Sequence, residues 1–257
     1  MTLQPAAQGA ARVSVCMATY NGARYLPEQV TSILAELHPD DELVVVDDAS
    51  TDDSVAVMEG IGDPRMRIVR AERNSGYVRT FERAIALATG DVVLLSDQDD
   101  VWPVGRRDVL VAAALASGAA ASNLRLLDSG EPLRSPLNGR PWLLRADFDH
   151  RRIRNELAIL AGDAPYFGCA MALRRDVLPL VLPFPEYLTE SHDLWIATAT
   201  NAAGVLSHVE QTTVLRRVHD DNASTSRPRG VVQALGSRLL LLRLWFLARR
   251  RIRSGRR

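Results

Sequence analysis

Three carboxylates crowd the end of one apolar run. Residues 94–102 read LLSDQDDVW, so Val92, Val93, Leu94 and Leu95 lead directly into Asp97, Asp99 and Asp100. The run has the length and β-branched content of a buried strand. Acids at the mouth of such a strand repel one another and lose hydration, and a divalent cation among them relieves both effects. Oxygen ligands suit a hard cation, Mg²⁺ or Mn²⁺. The plainer alternative, a solvated acidic turn, fits poorly after so apolar a strand. Asp47 and Asp48 repeat the arrangement after Leu43–Val46. Two strands that end in acids, each followed by a helix, point to a nucleotide-and-metal site at the carboxyl edge of a sheet. A further acid, Asp193, follows His192 at the start of a helical stretch.

The elements that must position these acids alternate. Arg12–Ala18 reads as a strand that ends at the turn signal Thr19-Tyr20-Asn21-Gly22. Leu26, Val30, Ile33, Leu34 and Leu37 then follow helical spacing. Leu43–Asp47 is a second strand, with Ser50 or Thr51 placed to cap the next helix. Met66–Arg70 is a third strand. Asn74-Ser75-Gly76 opens a helix with Val78, Phe81, Ile85 and Ala88 on one face, and Asp91–Ser96 is a fourth strand. Such alternation predicts a doubly wound, mostly parallel sheet with helices on both faces. The first turn, ATYNGARY, is not the GxGxxG of dinucleotide-binding folds. After about residue 125 the pattern loosens. Leu126–Arg152 reads as a loop-rich insertion, Ile153–Leu160 as helix, Tyr166–Leu173 as strand, His192–Ala203 as helix and Val205–Leu215 as the last strand region. Residues 1–11 are expected to be disordered, 12–230 to form one catalytic domain in two halves divided at 125/126, and 231–257 to be a separate tail.

Composition narrows the chemistry. The 257 residues are 47% hydrophobic, enough for a large core, and the formal net charge is zero, which gives no case for nucleic-acid binding. All 31 basic residues are arginine. Without lysine there is no Walker A loop, no Schiff-base chemistry and no lysine-assisted aspartyl phosphatase. Cys16 and Cys169 lie in apolar surroundings without metal-type spacing, and no signal-peptide pattern opens the chain, so a reduced cytoplasmic protein is expected. The tail mixes Leu239–Leu242, Leu244, Trp245, Phe246 and Leu247 with arginines that interrupt it too early for a spanning helix. It reads as a basic amphipathic helix lying on an anionic membrane, with packing against the domain as the alternative.

Seven segments now fall into place: SVCMATYNGARYL, ELVVVDDASTDDS, the Asn74-Ser75-Gly76 helix start, ALATGDVVLLSDQDDVW, FGCAMALRR, HDLWIA and RRVHDDN. In that set and order, from residue 12 to about 222, the chain resembles the family 2 glycosyltransferases of GT-A fold, the nucleotide-diphospho-sugar transferase fold. It is most similar to bacterial sugar transferases of the rhamnosyltransferase-like group. Two positions differ on what the family pattern places at the acceptor side: Arg106 replaces the lysine of WxPxK, and Arg216 replaces an aromatic residue.

The resemblance implies roles. Thr19, Tyr20 and Asn21 line the nucleotide pocket, although Asn-Gly turn chemistry also explains Asn21. Asp48 accepts the N3–H of uracil or thymine, or else caps the following helix. Asn74 and Gly76 let the chain pass close to the nucleotide, or simply start a helix. Asp97 touches the ribose and, with Asp99, holds Mg²⁺ or Mn²⁺ on the diphosphate. His219 completes that shell or contacts the diphosphate, and Arg217 pairs with phosphate. Asp100 is a further ligand of the ion or orients the sugar, and Trp102, Gly168, Cys169, His192 and Trp195 contact the substrates. Asp193 is the general base, with helix capping by Ser191 or Asp193 as the alternative. Cys169 has no base beside it in sequence and is no nucleophile.

The expected activity is inverting, metal-dependent transfer of a sugar, rhamnose first, from a dTDP- or UDP-sugar to a glycan or polyprenyl-lipid-linked acceptor. The expected setting is cell-surface polysaccharide synthesis on the inner face of the cell membrane. A metal-dependent nucleotide phosphohydrolase and a non-catalytic nucleotide-sugar-binding scaffold are the competing readings.

Overall fold

Alternating apolar side chains on four parallel strands organise two cores, one on each face of a sheet. In a computed structural model of the chain, residues 11–219 and 231–254 are described; of the residues 1–11 expected to be disordered, all but Ala11 lie outside them, as does the end of RRVHDDN. The first half runs β1 (Val13–Thr19), α1 (Leu26–Glu36), β2 (Glu42–Asp47), α2 (Ser54–Ile61), β3 (Met66–Arg70), α3 (Tyr77–Leu87) and β4 (Val92–Ser96). The second runs α4 (Arg106–Ser117), β5 (Ala119–Leu126), α5 (Arg152–Ala161), β6 (Met171–Arg174), α6 (Leu178–Val181), α7 (His192–Ala203), β7 (Leu206–Arg216) and α8 (Val231–Ser254).

The strands form one seven-stranded sheet in the order β3-β2-β1-β4-β6-β5-β7. Only β6 is antiparallel, wedged between β4 and β5. Because side chains alternate along a strand, Val13, Val15, Met17, Val92 and Leu94 pack with α1, α2 and α4, while Cys16, Val93 and Leu95 pack with α3, α5, α7 and α8. The sheet is thus covered on both faces, as the alternation predicts.

Several expectations are corrected. Neither Ser50 nor Thr51 caps α2, which starts at Ser54 after Asp53 with no side-chain cap. The Ser50 and Ser54 hydroxyls instead accept the amides of Asn21 and Gly22, and so tie the β2 loop to the β1 loop. The expected strand Tyr166–Leu173 shortens to β6, because Gly168–Ala170 coil into a 3-10 turn. The tail helix exists, but it is not free of the domain. Leu241, Leu244 and Ala248 are buried in the shared core.

Candidate active site

The β1 and β2 loops meet the segment after β4 at one edge of the sheet. Asn21 adopts a left-handed backbone (φ 48°), which asparagine tolerates. Its side-chain oxygen accepts the Thr51 amide at 2.8 Å. Gln98, inside the acidic segment, clasps the β1 loop: its Oε1 accepts from Thr19 Oγ1 (2.7 Å) and from the Tyr20 amide (2.9 Å), and its Nε2 donates to the Tyr20 carbonyl. The loop backbone is thereby fixed, while the Tyr20 side chain stays 45% exposed above it. Sequence reasoning passed over Gln98, although its place among three acids was the available signal.

Asp48 is 2% exposed and does not cap the next helix. Its Oδ1 accepts the Ser75 amide and hydroxyl, and its Oδ2 accepts the Gly76 amide, at 2.8–3.0 Å. A carboxylate has roughly four acceptor positions, so one remains for an incoming N–H. Asn74 makes a local turn bond to the Gly76 amide, and Gly76 supplies a positive φ of 83° at the start of α3. Asp47 accepts the Ser50 amide and lies 3.8 Å from Arg70, a structural pairing.

The acids after β4 are in the opposite condition. Burial, then the nearby Asp100 and Asp99, push the Asp97 carboxyl up to about 8. Burial and Asp99 push Asp100 up to about 6. Asp100 Oδ1 accepts the Arg217 amide at 3.1 Å, whereas Oδ2 is buried and meets no donor stronger than the Cys169 thiol. Among the described residues, one set of potential metal-ligand atoms converges within 4.8 Å: Asp97, Asp100 and Cys169. Two crowded acids and an orphaned oxygen fit a cation. The set keeps Asp97 and the alternative ligand Asp100 and leaves out the expected Asp99 and His219. Asp99 Oδ2 and His219 Nε2 instead bond each other at 2.8 Å, with His219 stacked on Tyr25 at 4.4 Å between ring centres. Arg217 Nε holds the Asp99 carbonyl, and its other end reaches Glu28.

Two arginines that sequence reasoning assigned to the acceptor side balance these acids. Arg106 is 1% exposed and donates to the carbonyls of Leu95, Cys169 and Thr213, with its guanidinium 4.1 Å above the Trp102 ring. Burial lowers it to about 10, still cationic at neutral pH. Burial disfavours the charge of Arg216 as well, yet Cys169, Asp97, Asp100 and Asp99 around it hold its pKa above the ordinary value. Their partners lie far along the chain, so spacing alone does not show this role.

The acceptor-side residues join this cluster through the 168–170 turn. Cys169 is buried, and burial followed by Asp97 and Asp100 raises its thiol well above the ordinary value, which excludes a nucleophile. A Cβ on Gly168 would lie 2.6 Å from His192 Nε2, so only glycine admits the imidazole there. His192 stacks on Phe81 at 4.4 Å; burial drives it down to about 3, so the ring is neutral, and neither nitrogen finds a hydrogen-bond partner among the described residues. Ser191, at φ 59°, precedes it, and its amide is held by the Tyr77 hydroxyl at 3.1 Å. Asp193 follows in the first turn of α7, partly exposed, with Oδ1 near the Leu194 amide. A continuous path therefore runs from Asp48 through Gly76 and Tyr77 to Ser191 and Asp193. Another runs from Asp97 through Cys169 and Gly168 to His192. The left-handed non-glycine residues among those described, Asn21, Ala49 and Ser191, all lie on these loops, where strain concentrates at working sites.

Two expected substrate contacts are corrected. Trp102 is 5% exposed and packs in the core with Arg106 on its ring. Trp195 is fully buried and donates to the Val181 carbonyl. Both hold scaffold elements in place.

Residues 14–179 match the Glycosyl transferase family 2, and the chain belongs to that family. It is 28% identical over 218 residues to an uncharacterized glycosyltransferase of Nostoc sp., covering 82% of this chain and 66% of the relative. Over 92 residues it is 36% identical to the putative teichuronic acid biosynthesis glycosyltransferase TuaG of Bacillus subtilis, 35% of this chain and 36% of the relative. The fold matches that of S. aureus TarS 1–349 in complex with UDP-GlcNAc, with a TM-score of 0.66 and 18% identity over 90% of this chain and 66% of that one. TarS has also been solved with UDP. The chain thus spans about two thirds or less of the length of these relatives. The sheet and its flanking helices are a GT-A fold.

Proposed function

We propose that this chain is an inverting glycosyltransferase that uses a uridine or thymidine diphosphate sugar. The observation that carries the reading is the meeting, at one sheet edge, of a spare acceptor position at Asp48, an acid cluster suited to a cation, and a carboxylate at the start of α7. The spare acceptor position of Asp48 suits the N3–H of uracil or thymine, and exposed Tyr20 can cover the base. The structures of TarS in complex with UDP and with UDP-GlcNAc support a pyrimidine nucleotide donor.

Asp97 and Asp100, with Asp99 and His219 alongside, would hold Mg²⁺ or Mn²⁺, while the protonated Cys169 thiol stays a hydrogen-bond neighbour. Such an ion supplies charge neutralisation to a departing diphosphate. Arg217 is placed to pair with phosphate oxygens. Asp193 takes the proton from the acceptor hydroxyl as that oxygen attacks the anomeric carbon, the carbon–diphosphate bond breaks, and the centre inverts. The acceptor is a glycan on a membrane lipid, in cell-surface polysaccharide assembly, with rhamnose as the first sugar to test. The likeness to TuaG, the putative teichuronic acid biosynthesis glycosyltransferase, supports that setting. The enzyme then works as a peripheral protein on the inner membrane face.

The experiment is Asp193→Asn, assayed for sugar transfer and, by thermal shift, for UDP and dTDP binding with Mn²⁺. Transfer lost by at least about a hundredfold with the nucleotide shift retained supports the assignment. Release of free sugar or phosphate by wild type without an acceptor would favour a hydrolase. Nucleotide binding by wild type with no turnover on any acceptor would favour a scaffold.

A further inference from the structure

The helix α8 has two unlike sides. Leu241, Leu244 and Ala248 face the domain at 3%, 0% and 1% exposure. Arg251 ties the helix down by donating to the carbonyls of Leu180, Leu182 and Pro183, and Arg238 donates to the Ala161 carbonyl. Leu235, Leu239, Leu242 and Phe246 are 65%, 61%, 38% and 63% exposed. Their spacing of four, three and four residues puts them in a single stripe, and at about 100° per residue that stripe lies roughly opposite the buried row. Isolated exposed leucines need no explanation, but a row of four with a phenylalanine does. Trp245 is half-buried beside Phe246. Arg243, Arg249, Arg250 and Arg253 are exposed around the stripe.

Charge identifies the partner. Residues 231–257 hold eight of the 31 arginines and none of the 31 acids, which leaves 23 arginines against 31 acids in the rest of the chain. Two copies joined stripe to stripe would oppose arginine to arginine with no acid between them. An anionic bilayer offers both an apolar layer for Leu239 and Phe246 and headgroups for the arginines. Among the described residues no helix is long and apolar enough to cross a membrane, so the helix lies on it. The neighbouring α5 adds exposed Ile153 and Leu157 with Arg151, Arg152 and Arg154.

We infer that the outer face of α8 docks on an anionic lipid surface while its inner face stays fixed to α7, so that the bilayer is held in a set position relative to Asp193. The link is short. Ser237 of α8 hydrogen-bonds Glu190, three residues before Asp193. Docking itself follows from the helix alone; its use in bringing a lipid-linked acceptor to Asp193 rests on the transferase reading.

The test is co-sedimentation of the full chain with vesicles of phosphatidylcholine containing 30% phosphatidylglycerol, and with phosphatidylcholine alone, in about 150 mM salt. The variants are Leu239→Glu/Phe246→Glu and Arg249→Gln/Arg250→Gln/Arg253→Gln, whose altered side chains are exposed; unchanged Tm verifies their fold. Wild type should sediment with the anionic vesicles, and each variant at least about tenfold less. Wild type that stays in solution with both vesicles, or a Glu double variant that binds as well as wild type, overturns the inference. So does a wild-type dimer in sedimentation velocity that the double variant converts to monomer, since the stripe would then join two copies. Neither assay needs a donor sugar. Wild type that binds neither vesicle yet keeps its UDP thermal shift would therefore sink the docking surface and leave the transferase reading standing.

Discussion

Asp48 and Asp97 follow two parallel strands separated only by β1, yet their surroundings are opposite. Asp48 is wrapped by the Ser75 and Gly76 amides and the Ser75 hydroxyl. Asp97 shares its pocket with Asp100 and Asp99, and its carboxyl is pushed up to about 8. Backbone amides complete the first carboxylate before any ligand arrives. The second is left with an excess of negative charge that Arg106 and Arg216 only partly offset. Identical side chains at equivalent strand ends are therefore in opposite conditions: one shapes a loop and keeps a single acceptor position, the other sits in excess negative charge.

The sharpest test of this contrast is Asp97→Asn, which removes a charge the metal-free protein holds with difficulty. We predict loss of metal-dependent nucleotide thermal shift and a fall in transfer of at least about a hundredfold, together with a higher Tm of the metal-free protein at pH 8. A lower Tm would mean that the cluster is not strained by its own charge. Next is Asp48→Ala, with the opposite sign for stability. It strands two amides and a hydroxyl, so unfolding free energy should fall by about 1–3 kcal/mol and nucleotide affinity with it.

The pH dependence separates the two regions further. Asp97 and Asp100 have folded pKa values raised above the ordinary 3.8. Their protonated forms therefore stabilise the metal-free fold fully at low pH, and that contribution is lost as pH rises through about 6 and then about 8. Tm without metal should drop between pH 5 and 8.5, on the order of 5 °C, and Asp97→Asn should flatten the slope. Mn²⁺ should restore more Tm at pH 8 than at pH 6, because it must displace protons to bind. The smallest effect is expected for Arg106→Lys, which keeps the charge but cannot reach carbonyls on β4, the 168–170 turn and β7 together. We predict a Tm loss of a few degrees with nucleotide shift retained.

Much of this was legible in the residues themselves. β3 and α7 fall on the residues their patterns predict, and β1, β2 and β4 within one residue. Each is an apolar run or periodic face bounded by a turn residue or an acid. The stretch between Arg106 and Leu126 was not legible: α4 and β5 are rich in alanine, which carries neither a helical stripe nor β-branched bulk. Nor could spacing reveal that β6 runs backwards between β4 and β5. Within the site, acids announced themselves by type. Gln98, Arg106 and Arg216 did not, because a hydrogen bond to a loop 78 residues away has no local signature.

The bare Cα of Gly168 lies directly against the His192 ring, between the acid cluster and α7. A single methyl group there would press on a buried, hemmed-in imidazole whose neighbour in sequence is Asp193. Gly168→Ala is therefore a molecular wedge. It leaves every charged group in place and shifts only the alignment of the two halves, so that the cost of misregistry could be read apart from the cost of lost chemistry.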